Sequence, residues 1–337
     1  MSFEANKAVI DRTLSNFALE RGMGAGGPGL ALAPLVSVQS LTGRYGIYEG
    51  SRNNPDNMDY KRAPGAHVKE GIPEGRDTDT YACVDRARKD KLPVEFSEDF
   101  DALSQINQIN RLDRVAEKNR HKIVTQHEQD VHDLLWASNE AGFNAIYGAD
   151  NVNDPSAAWD AGATSRIGKD VANALDRLYT NCGFGRGQAP GQVIALIPRS
   201  LFNDLTYESQ SDIAERLKFT QTGQTSLQQM ANYFDVDQVI VPDNLVDGAN
   251  RGQDGSWDFM WGGGHAGVFY VDPSESTDKM TLASTFAADQ VSAFPFLGVQ
   301  TWLDDKDTIS YYAKTHAWYD AKLVSAACGQ IIYDVLT

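Results

Sequence analysis

The chain has 337 residues, 42% hydrophobic and 23% charged, with a formal net charge of −16. That is enough for one large domain or two ordinary ones, in the composition of a globular protein. No apolar run reaches the ~20 residues of a membrane-spanning helix, the mixed-charge start fits neither a signal nor a transit peptide, and a free-standing nucleic-acid binder is usually basic rather than acidic.

Residues 1–21 read as a short amphipathic helix with Val9, Ile10, Leu14 and Phe17 on one side. Gly22 to Gly29 reads as a hinge, because glycine frees the backbone and carries no packing group. Leu30 to Leu41 is mostly apolar and expected to be extended. Arg44 to Phe96 is polar, with prolines at 55, 64, 73 and 93 and few core-type residues. Its best strand candidates, Arg44–Tyr48 and Thr80–Val84, could pair as the arms of a long hairpin with Asn53 to Asp79 as the tip. A loop of that length is out of place inside a compact domain and makes sense when it packs on a neighbouring molecule.

Asp99 to Ala141 gives the strongest helical signal: Leu103, Ile106, Ile109, Leu112, Val115, Val124, Val131, Leu134 and Leu135 recur at helical spacing, with no proline or glycine before Gly142. Such a helix would run about 60 Å at ~1.5 Å per residue. Ala161 to Cys182 is a second helix, with Ile167, Val171, Ala174, Leu175 and Leu178 inward and Gly183 to Gly187 ending it.

Val193 to Asp243 then runs strand, helix, polar loop, helix, strand. Val193–Ile197 is an apolar run stopped by Pro198, and Ser211 offers an N-cap. Leu227, Met230, Ala231 and Phe234 make an apolar stripe, and Val236–Val241 is a second buried strand. Gly248 to Gly267 alternates glycine with Trp257, Phe259 and Trp261, as loops between strands do. Phe286–Thr301 and Thr308–Trp318 read as strands, and Lys322 to Val335 closes the chain with apolar residues.

Few constellations suggest chemistry. Gly22-Met-Gly-Ala-Gly-Gly27 fits GxGxxG, but a helix precedes it and Pro28-Gly29 follows, the reverse of a dinucleotide-binding turn. His127 and His132 sit five apart rather than four. That rotates the second ring about 140° from the first and spoils a shared metal site, so the expectation is a solvated helix face. Cys83, Cys182 and Cys328 are far apart in sequence with no CxxC pair, an intracellular pattern of free thiols. No catalytic site, cofactor or metal is therefore expected. Arg111, Arg114, Lys118, Arg120 and Lys122 make the middle of the long helix locally basic. They are candidates for a diffuse phosphate contact, with an ordinary exposed face balanced by Asp113 and Glu117 as the alternative.

The ordered pieces Ala195-Leu-Ile-Pro198, Glu215-Arg-Leu-Lys-Phe-Thr-Gln-Thr-Gly223, Val236-Asp-Gln-Val-Ile-Val-Pro242, Met260-Trp-Gly262 and Ala266–Val271 with the turn Asp272-Pro273 resemble the axial domain of tailed-bacteriophage major capsid proteins, the Hong Kong ninety-seven phage lineage. The resemblance implies an α+β chain: an N-terminal arm (1–41), an extended loop (42–98), a peripheral domain on a long spine helix (99–160), an axial α/β domain (161–318) and a return to the peripheral domain (319–337). It implies a structural protein whose copies form hexamers and pentamers of an icosahedral shell around double-stranded DNA, held without sequence specificity. It would be assembled in the host bacterial cytoplasm and end in the virion. Expected partners are a portal, a separate scaffolding protein (the chain starts at Met1 directly in the arm) and in some cases a decoration protein. Arg44, Tyr48, Lys61, Arg62 and Lys69 would meet neighbouring subunits. Some relatives crosslink a loop lysine to a neighbour's asparagine, but Lys61 and Lys69 are expected to be solvated. Two other readings stay open: the shell of an encapsulin-type nanocompartment, and an α/β enzyme with an unrecognised site.

Overall fold

The computed structural model describes residues 9–10, 27–47, 78–93, 100–159, 166–183, 191–207, 227–247, 255–288, 298–304 and 310–336. In chain order these form β1 (Val9–Ile10), α1 (Pro28–Leu32), β2 (Leu35–Val38), β3 (Thr42–Gly46), β4 (Thr78–Ala82), β5 (Val84–Pro93), α2 (Phe100–Leu135), α3 (Glu140–Tyr147), β6 (Val152–Asn153) and α4 (Ile167–Cys182). There follow β7 (Gln192–Leu196), α5 (Arg199–Tyr207), α6 (Leu227–Phe234), β8 (Gln238–Ile240), β9 (Leu245–Asp247), β10 (Trp257–Phe259), β11 (Ala266–Val271), β12 (Ala283–Ala288), β13 (Gly298–Asp304), β14 (Ser310–Leu323) and β15 (Gly329–Ile332). The chain divides into two compact units. One holds residues 1–43, 80–135 and 284–322, and the other holds 44–79, 136–283 and 323–337.

The first unit is a sheet with a long helix. Strand order is β1-β13-β14-β12-β2, and β5 also pairs with β14. β13 and β5 run antiparallel to β14, while β2 lies parallel to β12. α2 has 36 residues, about 54 Å of helix, and packs along β5 and α1. Ile123 and Val124 of α2 meet Ala317 and Tyr319 of β14, with Leu35 of β2 against them.

α1 shows how a distant residue can cap a helix. Gly27 at its N-cap offers no side chain and Pro28 no N–H. The carboxylate of Glu128, 1% exposed on α2, accepts from Gly29 N–H at 3.0 and 2.9 Å. An anion there satisfies an orphan donor and complements the helix dipole. A Cβ at position 29 would lie 2.5 Å from Glu128 Oε2, so glycine is what admits this approach.

Beside it, the Thr285 hydroxyl donates to the Ala33 carbonyl at 3.0 Å and sits 2.9 Å from His127 Nε2. Its one proton is thus committed, and the histidine donates through Nε2–H. The His127 ring meets Tyr319 edge to face at 5.1 Å.

The second unit is built on a mixed sheet ordered β6-β15-β11-β7-β8. β11 is antiparallel to β15 and β7, while the outer pairs β15–β6 and β7–β8 are parallel. Every residue of β11 is buried, as are Val193 to Leu196 of β7. Such unbroken apolar runs belong to strands covered on both faces. α4 packs on β11 and β15, and α6 on β8. Trp136, Phe143, Trp261, His265 and Tyr333 form an aromatic cluster, in which Trp136 Nε1–H reaches the Gly262 carbonyl at 3.1 Å. Two buried polar side chains are paired across elements: Asp170 accepts from Ser156 N–H and Trp159 Nε1–H, and Asn151 from Asn181 and Gln330.

The long helix, α4, α6, β7, β8, β11 and the β3–β4 pair stand where the sequence puts them. Several expectations are corrected. Val9–Ile10 is a strand on β13, not part of a helix, as suits two β-branched residues with a ladder to join. The hinge does not extend to Gly29, and residues 30–32 are helical rather than extended. β5 turns the end of the expected loop into sheet. The long helix stops at Leu135, because Asn139 must be extended to cap α3, where its Oδ1 accepts from Gly142 N–H at 2.7 Å.

α5 follows Pro198 directly, ahead of Ser211, which lies outside the described residues. Leu227 is 44% exposed, because it opens α6 a turn before the face that Met230, Ala231 and Phe234 bury. Residues 284–322 belong to the unit of the long helix, and β15 joins the other sheet, where its Gly-Gln-Ile-Ile run is fully buried.

Candidate assembly and nucleic-acid-facing surfaces

β5 carries Arg86, Arg88, Lys89 and Lys91 in ten residues and packs beside α2. Arg86 is spoken for: it lies 3.3 Å from Asp130, which also accepts from the Tyr319 hydroxyl. Lys89 caps the Tyr312 ring at 4.0 Å, a cation–π contact. Arg88 and Lys118 are exposed. Partial burial first, and then the charges of Arg88 and Lys118, hold the Lys122 amine below its usual pKa, with Asp90 opposing. Arg88, which lies 3.9 Å from Asp90, is grouped with Lys118 and Lys122 as a cationic ridge on an acidic chain.

Of the five basic residues expected there, Lys118 and Lys122 stand on the ridge. Arg120 does not: it is 4% exposed, turned in on the same stripe as Val124, His127 and Val131. The side chains of Arg111 and Arg114 lie outside the described residues. Arg88 was missed because β5 reads as loop; its only sequence signal is the charge run itself. His127 also departs from expectation, being fully buried rather than on a solvated face. Burial pushes its pKa down to about 4 against the opposing charge of Asp130, so the ring is neutral. The available clue is that His127, Val131 and Leu135 follow Val124 at i+3, i+7 and i+11. Among the described residues no group of three or more His, Cys, Asp or Glu could hold a metal ion, and no helix is long and apolar enough to cross a membrane.

A second surface is the β9–β10 ribbon. Phe259 lies opposite Leu245, and Trp257 lies two residues from Phe259 on the same face. These side chains are 43%, 47% and 64% exposed, respectively. A two-stranded ribbon with an apolar face is marginal alone in water. On the β3–β4 pair, Arg44 is exposed and Tyr45 is buried, its hydroxyl donating to Asp79 at 3.2 Å. Tyr48, Lys61, Arg62 and Lys69 lie outside the described residues.

No protein-family model matches the chain, and no curated protein matches it. Solved structures do. A phage-related protein from Bordetella bronchiseptica RB50 superposes over 98% of this chain and 99% of its own, with TM-score 0.68 at 19% identity. The protein assigned as the capsid protein of a prophage in Escherichia coli CFT073 superposes over 97% and 99%, with TM-score 0.53 at 10% identity. From end to end, the chain has the fold of these two phage-derived proteins, the Hong Kong ninety-seven-like capsid fold.

Proposed function

We propose that the chain is a major capsid subunit of a tailed double-stranded DNA phage, a structural protein rather than an enzyme. The observation that carries this reading is the fold, shared over 98% of the chain with a phage-related protein and over 97% with a prophage capsid protein. On this reading α2 is the spine of a peripheral domain, and the β7–β11 sheet is the axial domain. Copies join as hexamers and pentamers and close an icosahedral shell in the host cytoplasm, guided by a separate scaffolding protein and built on a portal, with room for a decoration protein.

Two surfaces support the reading. The exposed Trp257–Phe259–Leu245 face is suited to burial against a neighbour, and Arg44 opens the segment whose tip, with Tyr48, Lys61, Arg62 and Lys69, would lie across one. The cationic ridge is suited to packaged DNA as a phosphate contact without base readout. An acidic subunit is also kept from collapsing unspecifically onto nucleic acid and onto its many copies. Expression alone or with the scaffold gene of the same locus tests this. Negative-stain microscopy and size exclusion should show capsomers or closed megadalton shells; a monomer that persists across concentration and salt overturns it.

A further inference from the structure

Cys182 and Cys328 stand 146 positions apart, yet their sulfurs lie 3.6 Å apart. Cys182 is the last residue of α4, just before the left-handed Gly183. Cys328 ends the short 3₁₀ turn Ala326–Cys328 that feeds β15. The Cys182 thiol also donates to the Ala327 carbonyl at 3.4 Å, which holds it over that turn. The two side chains are 2% and 0% exposed, and α4 packs on both the turn and β15.

We propose that Cys182 and Cys328 are an intrachain crosslinking site, where a peroxide or a low-molecular-weight disulfide closes a Cys182–Cys328 bond that ties α4 to the C-terminal strand β15. The sulfurs are in van der Waals contact, roughly 1.6 Å beyond bonding distance, so small side-chain rotations close the gap. With hydrogen peroxide, one thiol loses its proton and its sulfur attacks a peroxide oxygen. The O–O bond breaks, water departs and a sulfenic acid remains. The second sulfur displaces that hydroxyl as a second water. Two thiols lose two electrons and two protons, and one peroxide becomes two waters. With a small disulfide, two successive exchanges release two small thiols.

Burial sets when this happens. Desolvation and the adjacent Cys182 keep the Cys328 thiol protonated far above the ordinary range. The reactive thiolate therefore forms only when α4 and the turn part briefly. The site is slow in the native protein and faster under conditions that loosen the second unit. Once made, the bond closes a loop spanning most of that unit's sheet and restricts the unfolded chain. Cys83 is a built-in control: its thiol donates to the Phe286 carbonyl in the first unit, and burial pushes its pKa up to about 11.

The test uses the full chain, treated with hydrogen peroxide with and without sub-denaturing urea, then alkylated and digested without reductant. The expected product has an intact mass lower by about 2 Da, one alkylatable thiol at Cys83, and a reducible peptide pair joining Cys182 to Cys328. Its melting temperature should be higher by roughly 5–10 °C. Cys83→Ser should behave as wild type, while Cys182→Ser and Cys328→Ser should show no link and no shift. Wild-type protein alone decides the matter if those variants misfold. Three alkylated thiols in both arms, a link through Cys83, or separate sulfinic acids at 182 and 328 would overturn it.

Discussion

The seam between α2 and β12 and the ladder between β7 and β11 are both buried, and they are made of opposite materials. At the seam, His127 of the helix and Thr285 of the strand are fully buried and hydrogen-bonded to each other, and Glu128 beside them, 1% exposed, caps α1. In the ladder, Val193 to Leu196 face Gly267 to Tyr270 with almost nothing to ionise. The ladder depends on apolar area and fit, which no ordinary change of pH alters. The seam depends on directed hydrogen bonds, and a buried ionisable group makes it sensitive to protons. The two halves of one chain thus differ in what carries their burial, although His265 beside β11, its pKa lowered by burial, gives the second half a proton sensitivity of its own.

The largest effect should come from the ladder. Phe269 is fully buried at its centre, and its ring lies so close over Gly267 that a Cβ there would collide with it. Phe269→Ala should cost about 4 kcal/mol, the lost transfer energy plus a cavity. Hydrogen exchange of β7 and β11 should report that loss equally at pH 5 and pH 7.5. A loss that changed with pH would mean the ladder is coupled to a titrating group, and the contrast would fail.

The seam should show the reverse. Burial takes the His127 pKa from 6.5 down to about 4. Because the folded value is depressed, the unfolded chain binds the proton first as pH falls. Stability is whole above pH 6.5 and is lost progressively from there towards pH 4, by about 3 kcal/mol in all. His316 in β14 shifts in the same direction, by burial first and the Lys314 charge next, and adds to the loss. Exchange protection in α2 and β12 should fall over that window. His127→Gln keeps a donor for Thr285 and cannot titrate, so it should flatten the profile at a cost of about 1–2 kcal/mol near pH 7.5. An unchanged profile would place the sensitive group elsewhere.

The same contrast governs what the sequence reveals. β7, β11 and α4 are legible because burial there follows composition: apolar runs and a clean 3.6-residue stripe that stands almost wholly buried. The seam is hidden because its residues are polar, and their burial is decided by partners far along the chain. Glu128 caps a helix 99 positions away, and β5 is a strand only because Asp85 to Pro93 find Trp318 to Ser310 opposite them. Nothing local in Asp-Arg-Ala-Arg-Lys-Asp-Lys announces a strand. Cys182 and Cys328 are invisible as a pair for the same reason.

The smallest effect on stability belongs to the ridge of the first unit, where Arg88 and Lys118 are exposed. Arg88, Lys118 and Lys122 repel one another, and that repulsion is screened because these side chains reach solvent. Replacing all three with glutamine should leave folding stability within about 0.5 kcal/mol and empty-shell assembly intact. Binding to duplex DNA should separate the readings. If the ridge is a phosphate contact, the free subunit binds weakly without sequence preference, and the variant's slope of log affinity against log salt is shallower by roughly 1 for each phosphate that the ridge neutralises. DNA-filled heads of the variant should also be less heat-stable, while empty shells are unaffected. An unchanged salt slope with unchanged filled heads would make the ridge an ordinary solvated edge of the sheet. A footprint at one preferred sequence would require base-edge contacts, and hence a surface other than this ridge of lysine and arginine.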